Sequence, residues 1–121
     1  MTAPRTVTVP TLDHGPITIP EPAWCLGHEG HQPEYRVDIT HTGSEHSFTF
    51  NGHPLLVTML TQAPCATIGT RDTGLHVEQT GYARTLDPTA LGQLAAALVE
   101  HAATLRAQAR ALSALLAQEG K

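Results

Sequence analysis

The chain has 121 residues, only 4% of them aromatic and 15% charged, with a formal net charge of −4. At that length it should form one domain with a modest core of Leu, Val, Ile and Ala, near the size at which small proteins gain from an extra staple such as a metal. Its seven basic residues form no cluster, which excludes a surface given over to nucleic acid, because phosphate neutralisation needs grouped Lys and Arg.

The expected fold class is α+β: a small antiparallel β-sheet with a zinc-stapled loop and one long C-terminal α-helix. A single domain over 1–121 would hold the N-terminal strands and a Cys/His loop in 1–34, antiparallel β-hairpins in 35–85 and the helix in 86–119. No charged N-terminal region leads into an apolar run, and no stretch approaches the ~20 apolar residues of a membrane span. A cytoplasmic location with reduced thiols is the expectation.

Residues 1–4 read as a frayed start. Residues 5–10, R-T-V-T-V-P, alternate polar and β-branched side chains as a half-buried strand does. After the turn signal of Asp13, His14 and Gly15, the run P-I-T-I-P over 16–20 repeats the pattern, with prolines that place it at a sheet edge or in a short connector. Residues 20–33 are rich in proline and glycine and read as a loop. A long loop in a compact domain needs something to organise it.

That organiser is spelled out by Cys25, His28, His41 and His46, a C-x2-H-x12-H-x4-H spacing that suits a four-coordinate zinc. Gly27 permits the tight turn that lets Cys25 and His28 converge. Thiolate and imidazole select zinc over magnesium or calcium, which want oxygen. His31 is the natural stand-in should one of the four be wrong. Trp24 reads as a hydrophobic cover for the loop, or alternatively as an anchor for a partner. His14, His53, His76 and His101 read as ordinary polar positions, and Cys65 as an inert or buried thiol.

Residues 35–41 and 46–50 read as a hairpin joined by Thr42, Gly43, Ser44 and Glu45. It would set Ile39 across from Phe48 and Val37 from Phe50, with His41 and His46 at the rim of the apolar side. Asn51-Gly52 is a strong hairpin turn, and the apolar run of 55–62 reads as a central strand covered on both faces. Residues 66–70 and 75–79 suggest a further hairpin about Arg71, Asp72, Thr73 and Gly74, extended by 82–85.

The helix has the clearest signals: Asp87 as N-cap, Pro88 at the first position, Leu86 stapled to Leu91, and Gly120 beyond an end near Gln118. Leu91, Leu98, Leu105 and Leu112 recur every seven residues, each followed four later by Ala95, Ala102, Ala109 and Leu116. A helix of roughly thirty residues is about 45 Å long. A sheet of four to six strands spans only ~20–30 Å. The overhang should meet a second copy of the helix, predicting a homodimer.

Three functions fit these residues. A closed site makes a non-enzymatic, zinc-stabilised interaction module, accessory to regulation, that binds a protein partner. If Cys25 stays free, three histidines leave an open position, and Glu29 or Glu45 could serve as general base of a small zinc hydrolase. A nucleic-acid-binding zinc module needs a basic face the chain hardly supplies. The segments P-A-W-C-L-G-H, R-V-D-I-T-H-T-G-S-E-H and L-D-P-T-A-L-G-Q-L-A-A-A-L-V-E-H-A-A-T-L-R together resemble a family of small actinobacterial (Streptomyces-type) proteins, a domain of unknown function. The resemblance implies no activity; it agrees with a chain whose one lysine is Lys121 among seven basic residues.

Overall fold

A computed structural model describes residues 5–121, so the reading of residues 1–4 lies outside the described residues. The strands are β1 (Arg5–Val9), β2 (Ile17–Glu21), β3 (His41–Thr42), β4 (His46–Phe50), β5 (His53–Gln62) and β6 (Gly74–Gln79), followed by the helix α1 (Pro88–Gln118). This is an α+β chain with antiparallel pairing: β1 pairs with β2, and β3, β4 and β6 each pair with β5. Two compact units divide it, one of Met1–Ser44 with Met59–Leu75 and one of Glu45–Thr58 with His76–Lys121. Strand β5 begins in the second unit and ends in the first.

In the first unit, β1 and β2 form an antiparallel hairpin with Val7 opposite Ile19. The period-2 alternation sends Val7, Val9, Ile17 and Ile19 to the core, where they meet buried Ile39 and Cys65. Thr8 and Thr18 pair their hydroxyls at 2.8 Å on the other face. The turn between the strands is tied by the Thr11 hydroxyl, which donates to the Gly15 carbonyl and accepts from the His14 N–H.

Residues 35–41 do not form the expected strand. Arg36–Asp38 is a short 3-10 turn, and only His41–Thr42 is extended into a ladder. The backbone here is bonded elsewhere: the Arg36 N–H donates to the Asp13 carboxylate and the Leu12 N–H to the Glu34 carbonyl. The Arg36 N–H holds the Asp13 carboxyl below its ordinary range, with His14 assisting against a smaller opposing effect of burial. Ile39 is fully buried in the first unit's core, while Val37 is 38% exposed. Strand β3 pairs with β5, His41 opposite Gln62, and the Gly43 N–H extends that ladder to the Leu60 carbonyl. Residues 42–45 are therefore not a hairpin turn.

Residues 66–70 also stay irregular. Arg71 Nε donates to the Ala66 carbonyl, and Gln62 Nε2 to that of Arg71.

In the second unit, β4 and β5 form the hairpin that Asn51-Gly52 predicts. Both residues have positive φ, 50° and 78°, as a two-residue type I′ turn requires. The helix begins on the Asp87 side chain, which accepts the Ala90 N–H at 2.8 Å, and ends in a Schellman arrangement. There the Gly120 N–H bonds the Ala117 carbonyl and the Lys121 N–H that of Leu116, with Gly120 at φ 82°.

Helix α1 rests on β4 through a face that only partly overlaps the leucine stripe: Leu105, Leu112 and Leu116 are half-buried, whereas Leu91 and Leu98 are exposed. His101 is buried with its ring stacked on Phe48, centroids 4.4 Å apart, and Gln108 Nε2 donates to the Thr58 hydroxyl at 3.0 Å. His101 and Gln108 share a heptad, but one displaced by three residues from Leu98 and Leu105. At 3.6 residues per turn that offset is about 60° around the axis. Leu91 and Leu98 consequently remain 58% and 46% exposed. Alanine on nearly every flank leaves the helix without a unique apolar stripe, so ring stacking and a hydrogen bond choose the docking face.

Candidate metal centre

Cys25, His28 and His41 bring their ligand atoms within 4.8 Å of one another in the first unit. Local structure aims each of them. The Cys25 N–H bonds the Pro22 carbonyl and the Leu26 N–H the Thr42 carbonyl, which tethers the proline-rich loop to β3. Gly27, at φ 102°, turns the chain so that its N–H points at Cys25 Sγ, 3.4 Å away. Arg5 braces the loop from below: its guanidinium pairs with Glu21 at 2.8 Å and donates to the Pro22 and Cys25 carbonyls.

Cys25 Sγ lies 3.6 Å from His28 Nε2, and the same nitrogen lies 3.1 Å from His41 Nδ1. Zinc bonds of about 2.3 Å to sulfur and about 2.05 Å to nitrogen, set at the tetrahedral angle, give edges of roughly 3.6 Å for S···N and 3.3 Å for N···N. The two separations at His28 Nε2 match these edges, and all three ligand atoms lie within 4.8 Å of one another. The sulfur at 3.6 Å and the second imidazole at 3.1 Å share one nitrogen of His28, an arrangement that three ligands about one ion would also produce.

His41 is wholly buried. Burial pushes its pKa down, charge on His28 pushes the same way, and the Pro20 backbone and Glu21 carboxylate oppose them. The ring therefore favours the neutral form that a metal ligand needs. Its Nε2 is shielded and has no well-aligned hydrogen-bond partner among the described residues, although the Pro20 carbonyl is near enough to act on the ring. Trp24 meets His41 edge-on, centroids 6.4 Å apart and planes perpendicular, as the expected cover of the loop. A Cβ at Gly43 would meet Trp24 Cε3 and the Trp24 carbonyl oxygen at 3.4 Å, at the edge of ordinary contact.

His46, the fourth residue of the sequence motif, is not among the grouped ligands. It opens β4 in the second unit, its ring parallel to that of His101 with centroids 6.3 Å apart, where the two histidines line a hollow of about 220 Å³ with Glu100 and Thr104. The hairpin that would have set it across from His41 does not form, because β3 and β4 each pair with β5. His31 stands beside His28 with ring centroids 5.6 Å apart.

A profile for a domain of unknown function, DUF6907, matches residues 6–114, which takes in the metal group and nearly all of the helix. The chain belongs to the DUF6907 family. No curated protein and no solved structure gives a significant match.

Sequence reading alone missed three residues in this DUF6907 chain. Arg5 gave no signal, since an arginine at a strand start is usually a solvated end. Glu34 looked like any loop carboxylate. His101 could have been suspected from its place among alanines and leucines, three residues beyond Leu98. Burial and the charge of His46 push the His101 pKa down, burial contributing more. Among the described residues no helix is long and apolar enough to cross a membrane.

Proposed function

We propose that this protein is a zinc-stabilised, non-enzymatic interaction module. Zinc is held by Cys25 Sγ, His28 Nε2 and His41 Nδ1, and it ties the proline-rich loop to β3. The convergence of sulfur and nitrogen on His28 Nε2 at tetrahedral edge lengths carries the reading. A small domain with 4% aromatic residues gains most from such a staple, because its core is thin.

The exposed helix face of Leu91, Leu98 and Val99 is the surface we assign to a partner, with a second copy of the same helix the simplest occupant. An accessory role in regulation, in the cytoplasm of an actinobacterium, belongs to the same proposal, and the preference for arginine over lysine supports only the lineage.

A zinc hydrolase is the second reading, favoured by one observation. Three chain ligands are the number that catalytic zinc sites use, with water in the fourth position. Glu29 would then be the nearest base in sequence to that water.

Elemental analysis of the purified protein tests the proposal: one zinc per chain is expected, kept in Cys65→Ser and lost or weakly held in Cys25→Ser. A chain that carries no metal and takes up none on addition of zinc overturns it.

A further inference from the structure

We infer that His31 is the fourth ligand of this centre, and that Glu34 is the carboxylate that orients it. The inference rests on the zinc reading above and closes the coordination shell that the hydrolase reading leaves open.

The turn from His28 to His31 sets the residue in place. The His31 N–H bonds the His28 carbonyl at 2.9 Å, and Gly30, third in the turn, has φ 73° as a type II turn requires. The two rings then stand 5.6 Å apart at 72°, close to the 5.2 Å and 72° of His28 and His41. Two imidazoles sharing one tetrahedral metal have centroids roughly 5 Å apart, from metal–nitrogen bonds of about 2.05 Å plus the ring radius. His31 thus has nearly the spacing from His28 that a fellow ligand has.

His31 Nε2 is shielded from solvent and 3.3 Å from Glu34 Oε1, yet too poorly aligned for a hydrogen bond. Glu34 is itself a fixed post, since its carbonyl accepts the Leu12 N–H beside the β1–β2 turn. A metal-bound histidine characteristically gives its other nitrogen to a carboxylate or carbonyl, which sets the ring and raises its basicity. With Glu34 on Nε2, the nitrogen left for zinc is Nδ1. Neither nitrogen of His31 is in the three-residue group, so binding requires a change of side-chain rotamer. The resulting pattern is C-x2-H-x2-H-x9-H, drawn from the first unit alone.

Zinc-edge X-ray absorption on the full chain tests this, with cobalt(II) substitution as a second readout. One sulfur and three imidazole nitrogens are expected in wild type, with the intense visible bands of four-coordinate cobalt. His31→Ala should drop to two imidazoles and bind at least about tenfold more weakly in a chelator competition. Glu34→Gln should keep three imidazoles while losing about tenfold in affinity, within the range for an outer-shell partner. Wild type that binds one zinc through one sulfur and two imidazoles, with His31→Ala unchanged in affinity, overturns this inference and leaves the zinc reading standing. Wild type that binds no metal overturns both.

Discussion

Removing the metal should separate a structural centre from a decorative one, and the size of the effect can be worked out beforehand. Free zinc a thousandfold above its dissociation constant stabilises the folded chain by about 4 kcal/mol. Unfolding entropy runs at about 2.1 cal/mol/K per residue near 60 °C. If all 121 residues melt together, that is about 0.25 kcal/mol/K, so chelation should lower Tm by about 16 °C. If only the first unit, residues 1–44 and 59–75, melts in the metal-linked step, the entropy halves and the drop doubles to about 32 °C. Calorimetry with and without a strong chelator, at fixed pH and protein concentration, reads both the shift and the cooperativity. The loop is otherwise held by a few hydrogen bonds, from Arg5, Thr42 and Leu12, and by the contact of Trp24 with His41, so a large shift is expected. A melt that moves by less than about 2 °C in a protein shown to carry zinc would refute the staple argument, whatever the ligand count.

His101→Leu should stabilise the chain by about 1 kcal/mol, because it removes a shielded Nε2 that has no hydrogen-bond partner among the described residues. The same variant tests a pH effect: the folded-state pKa of His101 lies below its ordinary value of 6.5, so the unfolded chain takes up that proton first. Stability from His101 is therefore complete above pH 6.5 and falls as pH drops below it. With metal bound in both proteins, so that the centre contributes equally to each, wild type should lose more stability than His101→Leu between pH 7 and 5.5, and equal losses would refute the assignment. Its other charged neighbours in the hollow, His46 and Glu100, are kept in both proteins. Asp87→Ala should cost about 1 kcal/mol by leaving the Ala90 N–H uncapped, a fall of about 4 °C in Tm, and an unchanged melt would show the cap to be idle. Light scattering should give twice the chain mass for wild type and the single-chain mass for Leu98→Glu. A monomeric wild type at high concentration counts against pairing through the helix.

Much of the local structure was legible in the residues. Asp87, Pro88 and Gly120 bracketed α1, Asn51-Gly52 marked its hairpin, and the alternation of 5–10 and 16–20 marked β1 and β2 to within a residue at each end. Each is a short-range instruction, carried by backbone preferences and by side chains a few positions away. Cys25, His28 and His41 were legible for a related reason: their chemistry is specific and Gly27 supplies the turn.

Pairing partners and faces were decided by tertiary structure. Residues 35–41 alternate as a strand should, yet Asp13 and the β1–β2 turn claim the backbone bonds that a hairpin would have used, and β3 pairs with β5 instead. With that hairpin gone, His46 stands with His101. The leucine heptads likewise specified a helix and left its docking face open, because alanine surrounds them. Periodicity records which side chains share a face of their own segment. Which other segment that face meets depends on hydrogen bonds and packing between residues far apart in the chain, and only the folded chain brings those together.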